Sequence, residues 1–91
     1  MEEPGGITVE FYGIPRQRAG RAELCLQANT VADLLESVKR ACPGLADLVG
    51  RDGKLAPHYL LSIDGSNFVT DTRQKLAPGI RLLLLSADAG G

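Results

Sequence analysis

Apolar and polar positions along the chain fall into two periods. In "ITVEFYG", Ile7, Val9 and Phe11 alternate with Thr8, Glu10 and Tyr12, the period-two pattern of a half-buried strand. "RAELCLQA" alternates again, with Ala22, Leu24 and Leu26 on one face. The intervening "GIPRQRAG" has glycines at both ends and a proline inside and reads as a loop, so the two strands predict a hairpin. The period then changes. "NTVADLLESVKRACPG" sets Val31, Leu34, Leu35, Val38 and Cys42 on one stripe, an amphipathic helix. Asn29 or Thr30 can cap it, and Asp33 sits in the first turn, where the helix dipole favours an acid. Pro43-Gly44 ends it, because proline cannot continue the ladder. "LADLV" offers one further turn, and "GRDGKLAPH" is a polar loop.

The second half reads as strands. "YLLSI" is a strand, "DG" a tight turn and "SNFV" a short return strand. "TDTRQKLAPG" is a loop that places Leu76 against the core, and "IRLLLLS" is the last strand. Strand, strand, helix, then three strands predict an α+β roll, one helix lying across one face of a mixed sheet. The last strand is the most apolar and is expected at the centre. With Arg81 facing outward, Ile80, Leu82 and Leu84 face the helix, and Leu83 and Leu85 fall on the other face. One helix cannot cover both faces. Leu83 and Leu85 are therefore either covered by loops or exposed as a partner surface together with Arg81.

Composition narrows the function. The chain has 91 residues, 44% hydrophobic and 23% charged, with a net charge of −1. One small domain is implied, and a core of this size leaves little room for a deep catalytic cleft. The four aromatics and scattered cations, with only Arg16, Arg18 and Arg21 close together, do not make the basic, aromatic-rich face of a nucleic-acid binder. Cys25 and Cys42 match no zinc or redox spacing and read as reduced, small hydrophobes. The longest aliphatic run, Leu82 to Leu85, is too short to span a bilayer. "MEEPGG" lacks the character of a signal peptide, so a cytoplasmic location is expected, with no membrane partner. His58 alone is no metal site and reads as structural or solvated. Glu2-Glu3 and Asp52 read as solvated charges, and no phosphate loop or nucleophile elbow is present.

The chemistry lies at the end of the chain. Residues 1–6 form an N-terminal segment, 7–86 the domain and 87–91 a tail, "ADAGG". Glycine has no Cβ, so Gly90 and Gly91 can thread a channel closed to other residues. The tail, with Asp88 and Ala89 before the glycines, presents the Gly91 carboxylate on a thin arm that another protein's active site could admit. A free carboxylate is a poor acyl donor, so an enzyme must activate it.

The order of these features resembles a family. "NTVADLLESV" opening the helix, "PGL" after it, "DGKL", "IDG", "LAPG" before the last strand and the closing "AGG" together are similar to the ubiquitin-like sulfur carriers. These include the molybdopterin synthase small subunit and the carriers of the thiamine and cysteine pathways. The resemblance covers about Ile7 to Gly91 and implies a β-grasp fold. It further implies a protein co-substrate without catalytic residues or a stably bound cofactor. An E1-like enzyme would use ATP to adenylate Gly91, sulfur would replace the adenylate, and the thiocarboxylate would serve an acceptor enzyme. That acceptor would be a molybdopterin synthase large subunit, a cysteine synthase or a thiazole synthase. Two positions depart from the common pattern: Ile80 follows Gly79 where an acid is frequent, and "SADAGG" replaces a proline-containing tail. Two other readings use the same residues: a protein modifier joined to lysines through Gly91, and an interaction domain with an incidental Gly-Gly end.

Overall fold

The computed structural model describes residues 6–63 and 67–87. The elements are β1 (Ile7–Phe11), α1 (Ile14–Ala19), β2 (Glu23–Leu26), α2 (Val31–Ala41), a 3₁₀ turn (Pro43–Leu45), β3 (Tyr59–Ile63), β4 (Asn67–Phe68) and β5 (Arg81–Ser86). The strands form one sheet in the order β2-β1-β5-β3-β4. β5 runs parallel to β1 and antiparallel to β3, so the sheet is mixed and the last strand lies at its centre. The architecture matches the expected α+β roll.

The period-two residues of β1 explain its pairing: Ile7, Val9 and Phe11 are buried, with Leu82 and Leu84 of β5 and Leu61 of β3. They form one core with Val31, Leu34, Leu35 and Val38 of α2. Each such side chain withdrawn from water contributes on the order of 1.5–3 kcal/mol. The α2 N-terminus has its free amides satisfied. The Thr30 side chain accepts from the Asp33 N–H at 3.2 Å, and the carbonyls of Gln74 and Thr72 accept from Val31 and Ala32 at 3.0 and 2.8 Å. The loop before β5 therefore straps the helix start, and Leu76, 8% exposed, joins the core as expected.

One element differs from the sequence reading. β1 and β2 pair antiparallel as a hairpin would, but "GIPRQRAG" holds the short helix α1 rather than a loop. Pro15 lies in the first turn, where its fixed φ suits a helix and its missing N–H is harmless. Gly20, at φ 74°, closes the helix in the left-handed conformation, its N–H donating to the Arg16 carbonyl at 3.0 Å. Glycine and proline, read as loop punctuation, are here the two ends of a helix.

Candidate functional site

The face of the sheet opposite α2 is built by the alternation of β5. Leu82 and Leu84 are buried, whereas Leu83 and Leu85 are half-buried and Arg81 is exposed. Across the ladder, Leu60 pairs with Leu85, Ser62 with Leu83 and Phe68 with Ser62. Leu60, Leu83, Leu85 and Phe68 thus share this face as an apolar strip, and Phe68 is 58% exposed. The Ser62 hydroxyl is buried among them without a hydrogen-bond partner among the described residues. On the β1 side the strip gives way to charge. Arg81 donates to Glu10, lies 3.6 Å from Glu23, and Tyr12 also donates to Glu10. The bonds from Tyr12 and Arg81 hold the Glu10 carboxyl below its ordinary value, and the bond to Glu10 raises the Tyr12 phenol. The Leu83, Leu85 and Arg81 surface expected from the sequence therefore lies at the centre of one sheet face.

Asp88, Ala89, Gly90 and Gly91 lie outside the described residues, as do Glu2-Glu3 and the Asp64-Gly65 turn. The root of the tail is described. Ser86, the last residue of β5, pairs with Tyr59, and the Ala87 N–H donates to the His58 carbonyl at 2.9 Å. The chain thus leaves the sheet beside His58.

A polar cluster surrounds that point. His58 Nε2 lies 2.8 Å from Asp47 Oδ2, and Arg18 Nη1 donates to the same oxygen at 2.8 Å. The Tyr59 hydroxyl donates to Asp47 Oδ1 at 2.8 Å and accepts from Arg18 Nη1 at 2.9 Å. Burial at this spot raises the Asp47 carboxyl, but the bonds from Tyr59, His58 and Arg18 outweigh it and hold the group at about 2. Tyr59 itself is buried, whereas the side chains of Arg18, Asp47 and His58 remain nearly half exposed. His58 is partnered rather than simply solvated. The sequence offered no spacing that joins residues 18, 47 and 58, because they come from α1, the segment after the 3₁₀ turn and the residue just before β3. Only the adjacency of His58 to a strand start hinted at it.

The cysteines separate. Cys42 is in the core, where burial pushes its thiol up, but Cys25 is exposed and does not pack as a small hydrophobe. It projects from the outward side of β2, with Thr8 Oγ1 4.0 Å from its sulfur. Among the described residues, no group of three His, Cys, Asp or Glu side chains could hold a metal ion. Nor is any described helix long and apolar enough to cross a membrane.

Comparison with solved structures places this geometry in a known class, the ubiquitin-like β-grasp fold. SAMP1 from Haloferax volcanii is 24% identical, with a TM-score of 0.80 over 96% of this chain and 100% of that one. CysO in the Amycolatopsis orientalis BexX/CysO complex is 21% identical, with a TM-score of 0.77 over 93% of this chain and 99% of its own. Urm1 from Trypanosoma brucei is 22% identical, with a TM-score of 0.72 over all of both chains. No family model matches the chain, and no curated protein matches it in sequence. At these identities the likeness establishes the fold, the one expected from the sequence.

Proposed function

We propose that this protein is a sulfur carrier. An E1-like enzyme adenylates the Gly91 carboxylate, a sulfur nucleophile displaces the adenylate, and the thiocarboxylate supplies sulfur for cofactor (molybdopterin or thiamine) or cysteine biosynthesis. The Gly91 carboxylate attacks the α-phosphate of ATP and pyrophosphate leaves. Hydrosulfide then adds to the acyl carbon and AMP leaves. The chain is the co-substrate of these steps and contributes no catalytic residue.

The observation that carries this reading is the exit of the central strand. β5 is held by β1 as far as Leu84 and by β3 through Ser86. Ala87 is held by His58, and the sequence continues as Asp88-Ala89-Gly90-Gly91. The anchored central strand therefore leads directly into a sequence that closes on two residues without side chains, which suits a carboxylate carried into another protein's active site. The apolar strip with Leu83 and Leu85, edged by Arg81, is the surface on which the activating or acceptor enzyme docks.

The test is incubation with an E1-like adenylating enzyme from the same genome, ATP and sulfide. The intact mass should gain one oxygen-to-sulfur exchange, located at Gly91 by fragmentation. Deleting Gly91 should abolish the exchange and leave the thermal melt unaltered. An exchange that persists in the deletion variant would remove Gly91 from the mechanism. Isopeptide-linked lysines in place of the exchange would identify a modifier.

A further inference from the structure

The reach of the Gly91 carboxylate, on the sulfur-carrier reading, is limited by its anchor. Among the described residues, the last backbone group tied to the domain is the Ala87 N–H, bonded to the His58 carbonyl. Four residues follow, so Gly91 can lie no more than about 14 Å from Ala87 even when the chain is fully extended. An active site that receives the Gly91 carboxylate must therefore open within that distance of His58. The side chains around the tail root then meet the rim of that opening.

Those side chains have a definite chemistry. Asp47 is occupied: Oδ1 accepts from Tyr59, and Oδ2 faces both Arg18 and His58. Among the described residues, Arg18 makes both of its bonds through Nη1 and none through Nε or Nη2, on a side chain that is 45% exposed. Asp47 Oδ2 can only accept, so His58 gives its Nε2–H to Asp47 and serves as a brace for that carboxylate. β1 ends at the same end of the sheet, since Phe11 pairs with Leu84 and the Tyr12 N–H donates to the Leu84 carbonyl at 3.0 Å. Tyr12 and Ile14, each 44% exposed, belong to the segment that leaves the sheet there. The rim is thus apolar where β1 leaves the sheet and rich in hydrogen-bond donors beside His58. Among the described residues, the only carboxylate of the polar cluster, Asp47, is already paired within it.

We propose that Arg18, braced by Asp47, Tyr59 and His58, forms a docking collar at the tail root that engages a carboxylate on the rim of the adenylating enzyme's active-site opening. The inference rests on the sulfur-carrier reading and adds a surface to it. Guanidinium groups favour carboxylates because their parallel N–H donors match the two oxygens. Asp47 holds the guanidinium in place through Nη1 and leaves its other edge outward. Rim charges of this kind act on encounter and on salt dependence more than on the chemical step.

The experiment measures carrier-dependent ATP–pyrophosphate exchange by the E1-like enzyme from the same genome, as KM and kcat for the carrier. Arg18→Gln should raise KM about tenfold, the change that ~1.4 kcal/mol produces, and His58→Ala, which removes a brace of Asp47, about threefold, with kcat within about twofold. Arg18→Lys should recover part of the loss, and the wild-type KM should rise with salt. Arg73→Ala, at a 90% exposed side chain paired with Asp71, should leave both constants unchanged. A thermal melt accompanies each variant, and if Arg18→Gln melts early the outcome rests on His58→Ala. KM values unchanged in folded variants, with an active wild type, overturn the collar alone. No exchange with the wild type overturns the carrier reading and the collar with it.

Discussion

Gly44→Ala is the sharpest test of how the tail root is built. Gly44 lies in the 3₁₀ turn, with its α-carbon against α1. A Cβ placed there would sit 2.1 Å from the Arg18 carbonyl oxygen and 3.0 Å from its carbon. The oxygen contact is about 1 Å inside ordinary van der Waals distance, and it is made with backbone, so no rotamer change relieves it. Alanine would lower the entropy of the unfolded chain, a gain of about 0.4–1 kcal/mol. Moving α1 off the turn is an overpacking event of about 1–3 kcal/mol, and the clash wins. A domain of this size loses about 4–8 °C per kcal/mol, so the melt should fall by roughly 5–15 °C. The same displacement carries Arg18 away from Asp47 and Tyr59, so the amide resonances of those residues should shift while those of β1 stay put. The assay is a thermal melt by circular dichroism with ¹H–¹⁵N spectra of both proteins. A variant that melts at or above the wild-type temperature, with Asp47 and Tyr59 unshifted, would refute the close packing of α1 on the turn.

Two further predictions concern single groups. The Asp47 carboxyl is held at about 2 against an ordinary 3.8. A depressed carboxylate contributes stability that is present above the unfolded value and lost as pH falls through the folded one, here from about pH 4 towards pH 2. Asp47→Asn should flatten the fall of the melt across that window, and an unchanged pH slope would show that the network is not titrating. Ser62→Ala removes a buried hydroxyl that has no partner among the described residues. Stability should hold or rise, by up to about 1 kcal/mol, and a loss of that size in a denaturant titration would reveal a hydrogen bond to Ser62.

The sequence by itself determined the elements whose signal is local. Period-two burial in β1 and β5 and the apolar stripe of α2 follow from side-chain spacing, because a strand turns its residues by half a turn and a helix by a hundred degrees. Leu76 as core residue and β5 as the central strand followed from the same patterns, whereas the cap stayed open between Asn29 and Thr30 until the fold set Thr30 against the Asp33 N–H. The outward placing of Leu83, Leu85 and Arg81 was readable too, since burial of Leu82 and Leu84 forces it. Short-range cues failed at α1, where a proline and two glycines permit either a loop or a capped helix, and packing against the 3₁₀ turn and β5 decides between them. Cys25 was misjudged for a similar reason: alternation says which face of β2 it occupies, but not whether anything covers that face. The polar cluster at the tail root belongs wholly to tertiary structure. Arg18, Asp47 and His58 are separated by 29 and 11 residues. They meet only because the sheet brings β3 alongside β5 while α1 and the 3₁₀ turn pack together at the close approach of Gly44 to Arg18. Hydrogen bonds between such distant residues leave no period in the chain, so their partners exist only once the fold has closed.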